Sequence, residues 1–415
     1  MKEHMHPESL MMSHGYKPEL SEGAIKSPIF QTSTFVFKNA EEGKAFFEIQ
    51  NGKRKKHEGE SLGLIYSRMN NPNLEILESR LTLWDGAEDA AVFESGMAAI
   101  TTVLLEFLKP GDLFAYSIPL YGGTEHFIDS YIQKIGVHTV EFKPSHTKEQ
   151  IIDIINKSGY ADKLSLMFIE TPSNPTNTLI DISMCKEIAD HFSTKEKQVY
   201  LACDNTYMGP LWQHPLKHGA DFSLYSATKY IGGHSDLIAG ACLGNKALIA
   251  RVRSLRSQLG CMAGPWTSWL MMRSLETLKI RMEEQARNAK KVAEFLVSHP
   301  KVEKIYYLGA IKEGTHEYEI YKKQYSSAGA MISFDVKGGE KEAFRLLNEL
   351  KLIKLAVSLG STESLAEHPA TMTHAGVSDE HKKEMSISEK LIRLSVGLEN
   401  AEDIIWDLTQ ALEKV

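Results

Sequence analysis

Cysteine is scarce in this chain: four residues in 415, at positions 185, 203, 242 and 261, with no CxxC spacing. That pattern excludes a disulfide scaffold and a structural zinc site, and the apolar surroundings predict reduced core thiols. Long hydrophobic runs are missing as well. No apolar stretch approaches the roughly 20 residues that span a bilayer. The start, MKEHMHPESLMMSHGYKPEL, has neither the basic region nor the continuous apolar core of a signal peptide. A soluble, cytoplasmic protein is expected. There is no basic excess either, and the net charge of -7 gives no general attraction to nucleic acid or to a membrane surface. The one basic run, Lys53-Arg54-Lys55-Lys56-His57, is flanked by glycines and reads as a solvated loop. His4, His6 and His14 read as part of a frayed terminus rather than as metal ligands. No GxGxxG follows a strand and no GxxxxGK[ST] occurs, so a nucleotide-binding dehydrogenase and a P-loop kinase both fail.

The remaining composition is that of a globular protein, 42% hydrophobic and 24% charged. The length exceeds what one core usually supports, so a large domain and a smaller one are expected. From Ala90 onward, short apolar strands alternate with helical patterns. AAVFES, DLFAYSIPL, VHTVEF, LSLMFIET, VYLACDN and FSLYSA are separated by helices such as DISMCKEIADHF. Strands apolar throughout, with helices between them, predict an α/β fold with a mostly parallel sheet covered on both faces. A long helical segment, about 266–298, leads to a different rhythm in which KVEKIYYL, AMISFDV and IRLSVGLE read as strands of a smaller α+β domain. The expected division is an N-terminal arm over 1–62, a large domain over 63–282 and a C-terminal domain over 283–415.

In such a sheet the ligand sits at the carboxyl ends of the strands. Ser95-Gly96, Tyr121, Asn174, Asp204 and Ser226 all fall there. Just beyond lies SATKYIGGHSD, in which Lys229 stands between small and hydroxyl residues. A desolvated lysine has a lowered pKa and serves as a Schiff-base nucleophile toward a carbonyl. Pyridoxal phosphate is the carbonyl cofactor that uses one, and it needs an acid at its ring nitrogen and donors around its phosphate. Asp204 suits the first. Ser226 and Thr228 suit the second, together with the amides of Gly96 and Met97, where a helix opens.

Nine motifs then fall in one order: PIFQTSTF (28–35), IYSRMNNPN (65–73), FESGMAAI (93–100), PLYGGT (119–124), ETPSNPT (170–176), DNTY (204–207), SATKYIGGHSD (226–236), SLGSTESLAEHPATMTHAGV (358–377) and RLSVGLE (393–399). With them the chain resembles the Cys/Met-metabolism family of pyridoxal phosphate enzymes. This family comprises cystathionine γ-synthase, cystathionine γ-lyase, methionine γ-lyase and O-acylhomoserine sulfhydrylase. The resemblance implies a fold-type I transferase in which Lys229 carries the cofactor, Asp204 pairs with its ring nitrogen, Tyr121 stacks on the ring and Asn174 meets the phenolic oxygen. It implies that Gly96, Met97, Ser226 and Thr228 hold the phosphate and that Arg393 takes the α-carboxylate of an amino-acid substrate. Tyr66 and Arg68 would reach the cofactor of a neighbouring subunit, which makes a dimer the catalytic unit, within a tetramer.

Lys229, freed by the substrate, is expected to act as the base and Tyr121 as the acid toward the leaving group. Family members that handle cystathionine usually place a glutamate before the SLG serine, Ser358; here that position is Val357, which suits a substrate without a distal charge. The expected activity is therefore methionine γ-lyase-like, with a γ-replacement enzyme as the alternative. Gly123 stands where typical methionine γ-lyases carry cysteine, and Gly260-Cys261 replaces their Lys-Asp pair; both departures favour the alternative. A non-catalytic regulator would have lost a group needed for turnover, yet Lys229, Tyr121 and Arg393 are all present.

Overall fold

The computed structural model describes residues 5–58, 60 and 62–415. The expected strands form a seven-stranded sheet: β1 (Asp89–Phe93), β2 (Leu113–Ser117), β3 (His138–Phe142), β4 (Leu164–Glu170), β5 (Tyr200–Asp204), β6 (Phe222–Tyr225) and β7 (Gly240–Gly244), in the order β1-β7-β6-β5-β4-β2-β3. Only β7 runs against the others, pairing antiparallel with β1 and β6. Every residue of β2, β4, β6 and β7 is buried, as a sheet with both faces covered requires. The sequence reading missed β7 because GACLG carries no β-branched residue. Its glycines are needed: a Cβ on Gly244 would meet the carbonyl oxygen of Asp221 at 2.6 Å.

The segment expected as one helix is two, Pro265–Leu275 and Leu278–Ser298. The Thr277 hydroxyl donates to the Ser274 carbonyl at 3.3 Å and competes with the helical ladder at the break. Beyond lies a five-stranded sheet of β8 (Val302–Tyr306), β9 (Met331–Val336), β10 (Lys354–Leu355), β11 (Leu365–Glu367) and β12 (Leu391–Ser395), in the order β10-β11-β12-β9-β8. Ile332, Phe334, Ile392 and Leu394 join the long helix Leu278–Ser298 in one buried cluster.

The N-terminal segment corrects the expectation of a frayed end. Met11 is fully buried, the His14 ring meets Ser79 Oγ at 2.8 Å, and Glu8 pairs with Lys279 at 2.5 Å. These contacts tie the described start of the chain to helices far along it; His4 lies outside the described residues. The arm also holds a helix, Ala40–Gln50, capped by Asn39. In the basic run Arg54 forms a forked pair with Glu60 at 2.6 and 3.0 Å, while the remaining side chains face solvent. Cys185, Cys203 and Cys242 are buried free thiols and Cys261 is half-buried. No helix among the described residues is long and apolar enough to cross a membrane.

Candidate active site

The six strands that run in one direction bring their carboxyl ends to one edge of the sheet, and a cavity of about 360 Å³ opens there beneath the C-terminal domain. Ser95, Gly96, Met97, Tyr121, Asn174, Asp204, Ser226, Thr228 and Lys229 line it from the sheet; Val357, Ser358 and Arg393 line it from the other side. Eleven of the thirteen residues expected at the site thus share one cavity. Tyr66 and Arg68 do not. Arg68 donates to the Ser257 carbonyl at 2.6 Å and lies 5.7 Å from the Tyr66 ring centre, outside the cavity lining of their own chain. A larger groove of about 670 Å³ between β8 and Lys143–Ser145 contains none of the expected residues, so volume alone does not mark the site.

Lys229 Nζ donates to Ser358 Oγ at 2.9 Å. Burial pushes its amine down to about 8, with the Arg393 charge helping and Glu367 opposing. A lysine so poised still holds its proton in most molecules at neutral pH, but about a tenth of them offer the free amine, far more than an ordinary lysine does. In the apoenzyme, the rate at which Lys229 captures an added aldehyde is expected to rise with pH and level off above about 8. Glu367→Gln should move that inflection to lower pH, because it removes the one charge that favours the ammonium form. A rapid-mixing pH series checks both; an inflection near 10 would contradict the assignment.

Arg393 sits at the centre of β12, where its register partner on β11 is Glu367. The two form a buried ion pair at 2.7 Å. The guanidinium also donates to Asn174 Oδ1 at 3.1 Å and to the Ser358 carbonyl at 2.7 Å, leaving a buried Nε without a partner. Ser358 itself adopts φ +85°, a left-handed conformation rare for a residue with a side chain, and this presents its hydroxyl to Lys229 and its carbonyl to Arg393. Asn174 Oδ1 accepts a second bond, from Tyr207 at 2.6 Å, so the amide nitrogen is the end left to donate.

At the sheet edge, Ser95 caps the helix Gly96–Phe107 by accepting from the Ala98 amide at 3.0 Å. The first-turn amides of this helix have no acceptor within it and face an anion well. Gly96 is required there: a methyl group in its place would stand 2.8 Å from the Ser226 Cβ. Thr228 lines the cavity, but its hydroxyl exchanges bonds with Ala239, donating to the carbonyl at 3.1 Å and accepting the amide at 3.0 Å. Asp204 Oδ1 accepts the Thr206 amide at 3.0 Å and its hydroxyl at 2.6 Å. Burial raises the Asp204 carboxyl against those bonds, and its neighbour Glu170 on β4 is pushed up as well, by burial and by the Asp204 charge.

These features fit pyridoxal phosphate. Among the described residues the two buried carboxyls side by side have no ion-pair partner, and a protonated ring nitrogen supplies the cation. The helix N-terminus and Ser226 offer donors without side-chain obstruction, and the amine is already desolvated. The comparison with known proteins agrees. The family model described as Cys/Met metabolism PLP-dependent enzyme matches residues 8–413. The chain belongs to that family.

Among curated members of the Cys/Met metabolism family, the chain is 40% identical to an L-methionine gamma-lyase of Fusobacterium nucleatum subsp. polymorphum over 395 residues, 95% of this chain and 94% of the relative. It is 37% identical to a cystathionine gamma-lyase of Bacillus subtilis over 412 residues, covering 99% and 100%. The crystal structure of cystathionine gamma synthase from Xanthomonas oryzae pv. oryzae with aminoacrylate and cysteine superposes with a TM-score of 0.87 at 30% identity, covering 99% and 98% of the two chains. The protein is accordingly a pyridoxal phosphate-dependent enzyme of the γ-lyase and γ-synthase family, with the α/β fold of its relatives.

Sequence reasoning passed over Tyr207, Glu367 and Glu170 as site residues. Each carried a weak signal: a charged or hydroxyl group closing an apolar strand, or lying inside a quoted motif. What identifies them is their partners, which lie 26 to 49 residues away for Glu367–Arg393, Tyr207–Asn174 and Glu170–Tyr121.

Proposed function

We propose that the enzyme is a carbon-sulfur γ-lyase acting on methionine, converting methionine and water to methanethiol, 2-oxobutanoate and ammonia. The observation that carries this reading is Val357, which lines the cavity next to the serine bonded to Lys229 and offers no charge to a distal ammonium. The 40% identity to curated methionine γ-lyases supports it. In this reading Lys229 holds the cofactor, Asp204 faces its ring nitrogen, Tyr121 covers the ring and Asn174 donates to the ring oxygen. Ser226 and the amides of Gly96 and Met97 take the phosphate, while Thr228, whose hydroxyl proton is held by the Ala239 carbonyl, fixes the turn that carries Lys229. Bound pyridoxal phosphate supplies an electron-withdrawing ring that acidifies the carbon-hydrogen bonds beside the substrate nitrogen. Arg393 orients the α-carboxylate through its planar fork. Lys229, neutral once released, carries protons from carbon, and the Tyr121 hydroxyl gives one to the departing sulfur.

A γ-replacement reading, with an acylated homoserine and a thiol, is favoured by Gly123. A Cβ there would stand 2.6 Å from the Tyr121 ring and 3.3 Å from Met97 Sδ, so the tyrosine occupies space that a side chain at 123 would claim. A turnover assay with added cofactor separates the two. It offers methionine, cystathionine, and O-acetyl- or O-succinylhomoserine with and without cysteine or sulfide. Methanethiol with 2-oxobutanoate from methionine supports the lyase. A thiol-dependent product from acylated homoserine, with methionine inert, overturns it.

The same reading makes the enzyme a dimer with shared sites. Tyr66 is exposed and outside its own cavity, while Ile25 and Val36 on the arm are 84% and 94% exposed, apolar surface of the kind a partner subunit buries. Mixing inactive Lys229→Ala protomers with inactive Arg68→Ala protomers is expected to restore roughly a quarter of the wild-type rate, on the order of one intact site in four for random pairing. No recovery in verified hybrids would remove the shared site.

A further inference from the structure

Glu170 closes β4, a strand otherwise apolar except for Ser165, and its carboxylate is buried at 6% exposure. Charges of its own sign surround it: Asp204, its register partner on β5, and Glu125. A carboxyl in such a place is costly unless both oxygens are satisfied. They are, by main chain alone. Oε2 accepts the Tyr121 amide at 2.7 Å and Oε1 accepts the Asn174 amide at 3.0 Å. One side chain therefore ties the segment that follows β2 to the turn that follows β4. The Leu120–Tyr121 segment is held a second time, because Glu125 accepts the Leu120 amide at 3.2 Å. The side chain of Asn174 is fixed at its other end by Tyr207 and Arg393, so Glu170 supplies the main-chain half of its placement.

We propose that Glu170 is the positioning residue of the cofactor site, a single buried acid whose two oxygens set the main chain beneath Tyr121 and Asn174 and so fix both groups toward the ring. The inference rests on the roles proposed above for those two residues. Both carboxyls line the cavity, and their partners separate them: Asp204 keeps an oxygen for the ring nitrogen in the role proposed above, whereas Glu170 has both oxygens bonded to the backbone of others. An isosteric amide at 170 keeps one acceptor and turns a second donor against the other amide, so one of the two ties is lost.

The test uses full-length enzyme, stripped of cofactor and reloaded with pyridoxal phosphate, and reads three quantities. They are the visible circular-dichroism band of the bound cofactor at saturation, its dissociation constant, and the thermal midpoint of the apoenzyme. Glu170→Gln is expected to reduce the visible band by at least half and to weaken cofactor binding about ten-fold, as for a lost hydrogen bond to a charged acceptor. It should lower kcat with KM changed by less than about two-fold. In a Tyr121→Ala, Asn174→Ala background the same substitution should have little further effect on the band, since its route is then gone. Should Glu170→Gln fail to fold, Glu170→Asp, which keeps the charge but not the reach, is expected to give the same loss. An unchanged band and dissociation constant overturn the proposal, as does a lowered apoenzyme midpoint with an unchanged band, which marks a purely structural tie. An intact band in Tyr121→Ala and Asn174→Ala overturns the site reading itself and this inference with it.

Discussion

Lys229→Ala is expected to purify without the visible absorbance of the wild type and to lower turnover by at least about 10³-fold, the range of a lost nucleophile combined with a lost base. Lys229 is the one amine in the cavity lining, and burial together with the Arg393 charge holds it down to about 8. Its hydrogen-bond partner, Ser358 Oγ, belongs to a residue whose strained backbone orients it toward the amine. Alanine keeps the turn, because Ala227 and Gly232 beside it already show that small residues fit. The fold should survive, and far-ultraviolet circular dichroism checks that. An unchanged visible spectrum in a folded variant would remove the central claim about the site.

Arg393 is the second large effect. Arg393→Lys keeps a positive charge near Glu367 but loses the fork that reaches Asn174 and the Ser358 carbonyl at once. A fall in kcat/KM of about 30-fold or more is expected, from the roughly 2–5 kcal/mol carried by a buried charge pair, expressed mainly in KM for the amino acid. Arg393→Ala adds a stability cost because it leaves Glu367 buried and uncompensated, a loss of about 3–5 kcal/mol. The sign of its pH dependence follows from Glu367, whose carboxyl is already raised by burial against the pull of Arg393. Without the arginine it rises further, so the folded state holds a proton that the unfolded state has released. The variant should therefore lose stability as pH rises from the ordinary carboxylate range through the raised value, and regain it toward acid. Chemical denaturation of both forms across that range measures it; a deficit independent of pH would show that Glu367 carries no such burden.

The parallel sheet and most of its strands were legible because they are locally encoded. A run such as LSLMFIE has no polar side chain to give water except at its end and Ser165, so it pairs on both sides and lies buried. The helix opening proposed to take the phosphate was legible as a helix start for a similar reason, since Ser95 and the glycine after it open a helix within three residues. The antiparallel strand β7 was not, because glycine and alanine carry no strand signal and its place is set by close packing against neighbours. Nor was the tethering of the start of the chain to the long C-terminal-side helix, which depends on Glu8 and Lys279 meeting across more than 200 residues.

The sequence by itself determined the chemistry available: an amine flanked by hydroxyl groups, an acid closing an apolar strand, a helix opening on glycine, and nine motifs whose order names the family. Tertiary structure decided which of these groups touch and in what state. Lys229 and Ser358 are 129 residues apart, and Asn174 and Arg393 are 219 apart, yet each pair is within hydrogen-bond reach. Spacing along a chain fixes contacts over about one turn or one strand pair. Contacts between domains, and the desolvation that drives the Lys229 amine down and the Glu170 and Asp204 carboxyls up, arise only when two separately encoded layers close over the same cavity.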